Sequence, residues 1–116
     1  MNIYHAWFDL RPGVSDVGFA DAVAAYLDRL RADGAIEGWR LTRRKLGLGP
    51  ERLPEFNLAI ECETLGQLDD AFGRVAARTD PMEGLHHAVN SKVTNLFFAL
   101  YRDFPDRVRQ RGEERF

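Results

Sequence analysis

IEGWRLTRRKLGLGPERLPEFNLAIEC, residues 36–62, is the stretch on which the fold turns. Its two ends alternate in character and its middle does not. In IEGWRLTRRKL (36–46), Trp39, Leu41 and Arg43 alternate with Arg40, Thr42 and Arg44. In EFNLAIEC (55–62), Phe56, Leu58, Ile60 and Cys62 alternate with Asn57, Ala59 and Glu61. A period of two marks a strand with one face buried. Between them, GLGPERLP has the glycines and prolines of a connection. The stretch predicts a hairpin with a long tip.

Outward from the hairpin the period changes on both sides. Upstream, NIYHAWFDL (2–10) is rich in aromatic and β-forming residues, and Arg11-Pro12-Gly13 ends it. Phe19, Val23, Tyr26, Leu27 and Leu30 then fall at helical spacing, so a helix is predicted over about 15–33, with Ser15 or Asp16 as N-cap and Gly34 as the stop. Downstream, Thr64 and Gln67 form a capping box for a second helix running to about Ala77, with Leu65, Leu68, Phe72 and Val75 as its inner stripe. Asp80-Pro81-Met82-Glu83 reads as a third helix start, for a short helix over about 81–91. TNLFFALY (94–101) is the last strand, and a charged tail follows over 102–116.

The order β-α-β-β-α-(α)-β, with short connections and right-handed crossovers, favours one answer. It is an α+β, ferredoxin-like βαββαβ fold. Its four-stranded antiparallel sheet has order 4-1-3-2 and carries the helices on one face. The 116 residues suit a single domain with one core. A formal net charge of −2 gives no global pull toward nucleic acid or anionic membrane. One cysteine, Cys62, excludes an intrachain disulfide, and its place in an alternating run makes it a small buried hydrophobe. The N-terminus lacks a cationic, apolar leader and no window is long enough to span a membrane, so a cytoplasmic address is the expectation.

Alternation sorts the strand residues onto two faces. The more apolar set, expected under the helices, holds Tyr4, Ala6, Phe8, Leu10, Trp39, Leu41, Phe56, Leu58, Ile60, Leu96, Phe98 and Leu100. The other set is mixed: Ile3, His5, Trp7 and Asp9; Arg40, Thr42 and Arg44; Asn57, Ala59 and Glu61; Phe97, Ala99 and Tyr101. Four strands of about five residues give that free face roughly 300 Å² before its rings are counted. A semi-apolar patch of this size marks an interface or a binding site, and a two-fold second copy would bury it.

On these residues the chain resembles the dimeric α/β-barrel superfamily. Members include small monooxygenases of the antibiotic-biosynthesis type, stress-responsive barrel proteins and related isomerases. More narrowly, MNIYHAWFDL, EGWRLTRRKLGLGP and GLHHAVNSKVTNLFFALYRDFPD resemble a small bacterial family of uncharacterised function along the whole chain. The resemblance implies a homodimer with a cavity between the sheets, and carries over no catalytic residue.

Candidate ligand-binding residues on the free face are His5, Trp7, Arg40, Asn57, Glu61, Phe97 and Tyr101. His5, an imidazole beside Trp7, is the candidate general base, against a hydrogen-bonded interface histidine. Arg40 and Glu61 read as a cross-strand ion pair or as groups that orient a substrate. His86 is the eighth candidate. His86 and His87 are adjacent, hence about 100° apart on a helix, and the zinc-type His-x3-His spacing is absent, so neither a metal nor a cofactor is expected. The segment 85–91 reads as mainly structural, with at most one histidine reaching a pocket. Arg43, Arg44 and Lys45 before GLGPE lack the phosphate-loop pattern and read as a solvated tip. RNA binding is not expected, because strand three would present Asn57, Ala59 and Glu61 where stacking rings are needed. Arg107, Arg109 and Arg111 either wrap a partner or are solvated. Two functions stay open: a non-catalytic small-molecule-binding or stress-related dimer, or a cofactor-independent monooxygenase or isomerase for an aromatic or polyketide-like compound.

Overall fold

Two hydroxyls start the long helices. The Ser15 side chain accepts from the Gly18 amide at 3.1 Å, and that of Thr64 from the Gln67 amide at 3.0 Å. Each satisfies a donor that the first helical turn leaves unpaired. In the computed structural model, which describes residues 1–77 and 82–106, the chain runs β1 (Asn2–Leu10), α1 (Asp16–Ala32), β2 (Gly38–Arg43), β3 (Phe56–Cys62), α2 (Leu65–Ala76), α3 (Met82–Asn90) and β4 (Val93–Arg102). Gly34 follows α1 at φ 74°, a left-handed conformation that glycine adopts without steric cost. The expected helix start at Asp80-Pro81 and the arginines of 107–111 lie outside the described residues.

The sheet has order β2-β3-β1-β4, which is the expected order read from the opposite edge, and all three pairings are antiparallel. This is the ferredoxin-like α+β fold. The helices cover one face. Phe8 of β1, Phe19 of α1 and Phe56 of β3 form a ring cluster with centroids 5.4–6.3 Å apart. Around them Val23, Leu27 and Cys62 are fully buried. The Trp39 indole, on β2, donates to Asp28 Oδ1 of α1 at 2.8 Å. Buried Asn2 donates to the Glu63 carbonyl at 3.1 Å and accepts from Arg102 Nε at 2.7 Å, which ties β1 to β4 and to the start of α2.

Two expectations need correcting. Phe98 and Leu100 do lie on the helix side, opposite Ala6 and Tyr4, yet they are 59% and 52% exposed. Alternation sets the side on which a residue lies, but not whether a helix reaches it, and β4 is an edge strand that α2 covers only partly. Within α2 the buried residues are Leu68 and Ala71, whereas Leu65 and Phe72 are half-exposed. The small Ala71 lets the helix approach, while Phe72 stands at the border, edge-to-face with Tyr4 and with the ring centroids 5.2 Å apart.

Candidate functional site

The uncovered face is laid out in rows by the strand register. Gly38, Glu61, Ile3 and Tyr101 make one row; Arg40, Ala59, His5 and Ala99 the next; Thr42, Asn57, Trp7 and Phe97 the third. Seven of the eight candidate residues are therefore brought onto one surface. His5 is at its centre. Its ring stacks on Trp7 at 5.2 Å and 15°, and meets the Tyr101 ring edge-on at 5.2 Å and 77°. Asn57 Nδ2 lies 3.3 Å from His5 Nδ1. With the amide donating, Nδ1 accepts, and a neutral ring carries its proton on Nε2. The imidazole is thus held from three sides by groups on three strands. Among the described residues, Arg40 and Glu61 form no ion pair with each other; the register sets them one row apart.

The hairpin tip rims this face; it is solvated, as expected, with residues 45–52 exposed, but it is also tied down. Arg44 folds back into it and donates to the carbonyls of Pro50 at 3.1 Å, of Leu53, and of Pro54 at 3.5 Å. Gly49 passes so close that a Cβ there would sit 2.8 Å from Arg44 Nε. Arg43 pairs with Glu55 at 2.9 Å and with Asp16 at 3.0 Å. The Val17 amide and then Arg43 hold the Asp16 carboxyl below its ordinary range. On the far side, Asp9 accepts from the Glu55 amide at 2.9 Å and from Asn95 Nδ2 at 3.1 Å. Asn95 lies at φ 56°, where the β1–β4 register shifts, so a β-bulge re-aims this corner.

Held in this way, the tip leans over the third row. It frames an open pocket of about 270 Å³ lined by Trp7, Thr42, Asn57, Leu48, Pro50 and Leu53. Ligand sites typically span about 300–1,000 Å³, and this open pocket falls just below that range. Sequence reasoning missed Arg44, Leu53, Asp9 and Asn95 as parts of the rim. The asparagine inside an apolar strand run was the one available signal of a bulge.

His86 is not on this face. Its ring sits 5.6 Å from Tyr26, edge to face, in the helix layer between α3 and α1, and His87 is exposed. The sheet separates both histidines from His5. Burial pushes the Tyr26 phenol up to about 12. The fold thus favours the neutral hydroxyl: this contribution is complete below the ordinary value of 10.0 and is lost as pH rises toward 12. Denaturant melts at about pH 9 and about pH 11.5 should show a loss of about 1–2 kcal/mol that Tyr26→Phe removes. Cys62 is fully buried, and burial raises its thiol, so no thiolate nucleophile is offered. Among the described residues no cluster of three or more His, Cys, Asp or Glu side chains could hold a metal ion, and no helix is long and apolar enough to cross a membrane.

Sheet, helix layer and open aromatic face define a class, the ferredoxin-like α+β proteins. The Arabidopsis thaliana protein At3g17210 is similar over 89% of this chain and 95% of its own, with a TM-score of 0.70 and 6% identity. A dimeric ferredoxin-like protein of unknown function from Jannaschia sp. CCS1 is similar over 89% of this chain and 100% of its own, at 0.64 and 10%. A Deinococcus radiodurans protein, provisionally assigned as an antibiotic biosynthesis monooxygenase, is similar over 89% and 92%, at 0.56 and 15%. Such identities show a shared fold alone. No curated protein matches the sequence. The chain belongs to the family of unknown function DUF6614, whose model matches residues 1–116.

Proposed function

We propose that the protein is a cytoplasmic homodimer that joins two free sheet faces and holds a small molecule between them, as a non-catalytic binding or stress-related protein. The observation that carries this reading is the free face itself. Phe97 and Tyr101 are 51% and 59% exposed there, around a His5–Asn57–Trp7 centre with fixed ring geometry. A contiguous apolar surface of this kind calls for a cover, and an isologous second copy supplies it with one interface. Two half-sites meeting across a two-fold axis would double the 270 Å³ pocket into the range of a ligand cavity. The dimeric neighbour from Jannaschia supports the assembly by analogy of fold.

A second reading is favoured by one local feature and one neighbour. With the Asn57 amide turned so that its oxygen accepts from Nδ1–H, Nε2 is left free as the base, and an imidazole so set and stacked on an indole suits proton abstraction from an aromatic or polyketide-like compound. The Deinococcus neighbour carries a monooxygenase assignment. In this reading His5 is the general base, Asn57 orients it, Trp7, Phe97 and Tyr101 form the walls, and Arg40 and Glu61 sit at the margins.

Light scattering on a size-exclusion column should give twice the 13.2 kDa chain mass at micromolar concentration. A monodisperse monomer would overturn the proposal. Native mass spectrometry of the purified dimer, followed by binding of any co-purifying compound, tests the cavity. His5→Ala should weaken that binding and His86→Ala should leave it unchanged; the reverse pattern moves the site to the helix layer. Oxygen consumption or product formation from the bound compound would select the enzyme reading.

A further inference from the structure

The two edges of the sheet are built differently. β2 is only six residues long and carries Arg40 and Arg43, the latter held by Asp16 and Glu55. Charges on a short strand keep other strands from adding to it. β4, at the other edge, runs for ten residues, and among the described residues nothing pairs with its outer side. From Val93 to Tyr101 it has neither a charge nor a proline. It is also open on both faces. Phe97 and Tyr101 are half-exposed on the free face, and Phe98 and Leu100 on the helix side. A dimer through the free faces covers the first two and leaves the other two and the strand edge open.

The open stretch has nearly the same character read in either direction. Phe97-Phe98-Ala99-Leu100-Tyr101 runs aromatic, apolar, small, apolar, aromatic about Ala99. Antiparallel pairing with a second copy, on a two-fold axis at Ala99, sets Phe98 opposite Leu100 on the helix side and Phe97 opposite Tyr101 on the free side. Such apolar and aromatic cross-strand pairs stabilise a sheet. The axis passes through the smallest side chain of the stretch. Arg102 falls opposite Leu96 of the second copy, so no two charges meet. The ladder has an end on each side, at the bulge of Asn95 and at the turn that Arg102 and Asp106 close. The pattern is thus self-complementary, as a two-fold contact requires.

We propose that β4 is a second surface for self-association, through which two copies join edge to edge over residues 97–101, antiparallel about Ala99. Two four-stranded sheets then become one continuous sheet. This two-fold differs from that of the free faces, so with both contacts in place two dimers join. A ladder this short buries less than the ~800 Å² per partner of a standard stable interface, so it holds only at high protein concentration. The edge pairing stands without the ligand reading of the free face.

The test uses two cysteine variants of the full chain, Phe98→Cys and Leu100→Cys. Both positions are half-exposed, so the fold tolerates the change, and Cys62 is fully buried. Mild oxidation of a concentrated equimolar mixture should link unlike chains, because directly opposite Cα atoms lie about 4.5–5.5 Å apart, within disulfide reach. Each variant alone should link little, because a residue and its own copy are then diagonal, about 7–8 Å apart. The free-face contact cannot produce these links, since both positions lie on the helix side. No link in any sample, equal yields in all three, or a link in one variant alone but not in the mixture would each overturn the proposal. Sedimentation of the parent from about 10 µM to about 1 mM should show the mean mass rising about twofold. Leu100→Lys, which sets a charge opposite Phe98, should cancel that rise and leave the mass at the lowest concentration unchanged. A flat mass in the parent, or a rise that survives Leu100→Lys, equally overturns the edge contact. The mass at the lowest concentration reports the free-face dimer separately. If that dimer fails, the rise starts from one chain and the unlike link still forms.

Discussion

Trp7→Asp should convert the protein from dimer to monomer at micromolar concentration, with dissociation rising about 100-fold or more, equivalent to about 3 kcal/mol. Trp7 lies in the middle of the third row, between Asn57 and Phe97, and its ring is the platform on which His5 stacks. A carboxylate there loses the aromatic area and brings a charge into the surface that the proposed interface desolvates, where no cation faces it in its own row. The residue is only half-buried within one chain. Far-ultraviolet circular dichroism should therefore stay close to that of the parent while the scattering mass halves. A dimer that survives the substitution would place the interface elsewhere, with the β4 edge next in line because Phe98 and Leu100 are open on its other side.

The face that this mutation targets was legible because a strand has a period of two and a hairpin fixes its own register. Once Phe56, Leu58 and Ile60 are assigned to the core, Asn57, Ala59 and Glu61 must point the other way, and β1 follows by pairing. The element order then leaves little freedom in topology. What alternation does not carry is the identity of the cover. NLFFAL is apolar at Leu96, Phe97 and Phe98 in succession, the pattern of a strand covered on both sides. The sequence thus assigned Phe98 and Leu100 to the helix side without revealing that α2 stops short of them.

Half of the α2 stripe failed for a related reason: Leu68 and Val75 pack on the core, whereas Leu65 and Phe72 are half-exposed. Leu65, Leu68, Phe72 and Val75 lie within one arc, but the helix rolls so that Ala71 can approach the sheet, a packing choice that spacing cannot encode. The order of the tip, solvated as expected, was not legible for a different reason. Arg44 binds carbonyls of residues six to ten positions away, and their convergence depends on loop geometry rather than on any local motif. His86 could be separated from His5 by topology, since helices and free face lie on opposite sides of the sheet. Its contact with Tyr26 needed the packing of α3 on α1.

Phe19→Ala should be the most damaging single substitution to the fold, costing about 3–5 kcal/mol. Phe19 is fully buried in the first turns of α1, with its ring 5.4 Å from Phe8 and 6.3 Å from Phe56. It is the side chain of α1 that enters the aromatic cluster on the helix side of the sheet. Truncation removes a ring from between two others whose strands are fixed by backbone pairing, so the cavity cannot close by moving them. Against a typical total of about 5–15 kcal/mol, such a loss should bring a midpoint of thermal unfolding down by roughly 10 °C or more. The two substitutions should differ in a diagnostic way. A dimer is stabilised by mass action, so the parent's midpoint should rise with protein concentration. Phe19→Ala, remote from the free face, should lower the midpoint at every concentration and keep that dependence. Trp7→Asp should abolish it. If both variants lose the dependence together, helix layer and free face are not separable, and the interface draws on the packing beneath it.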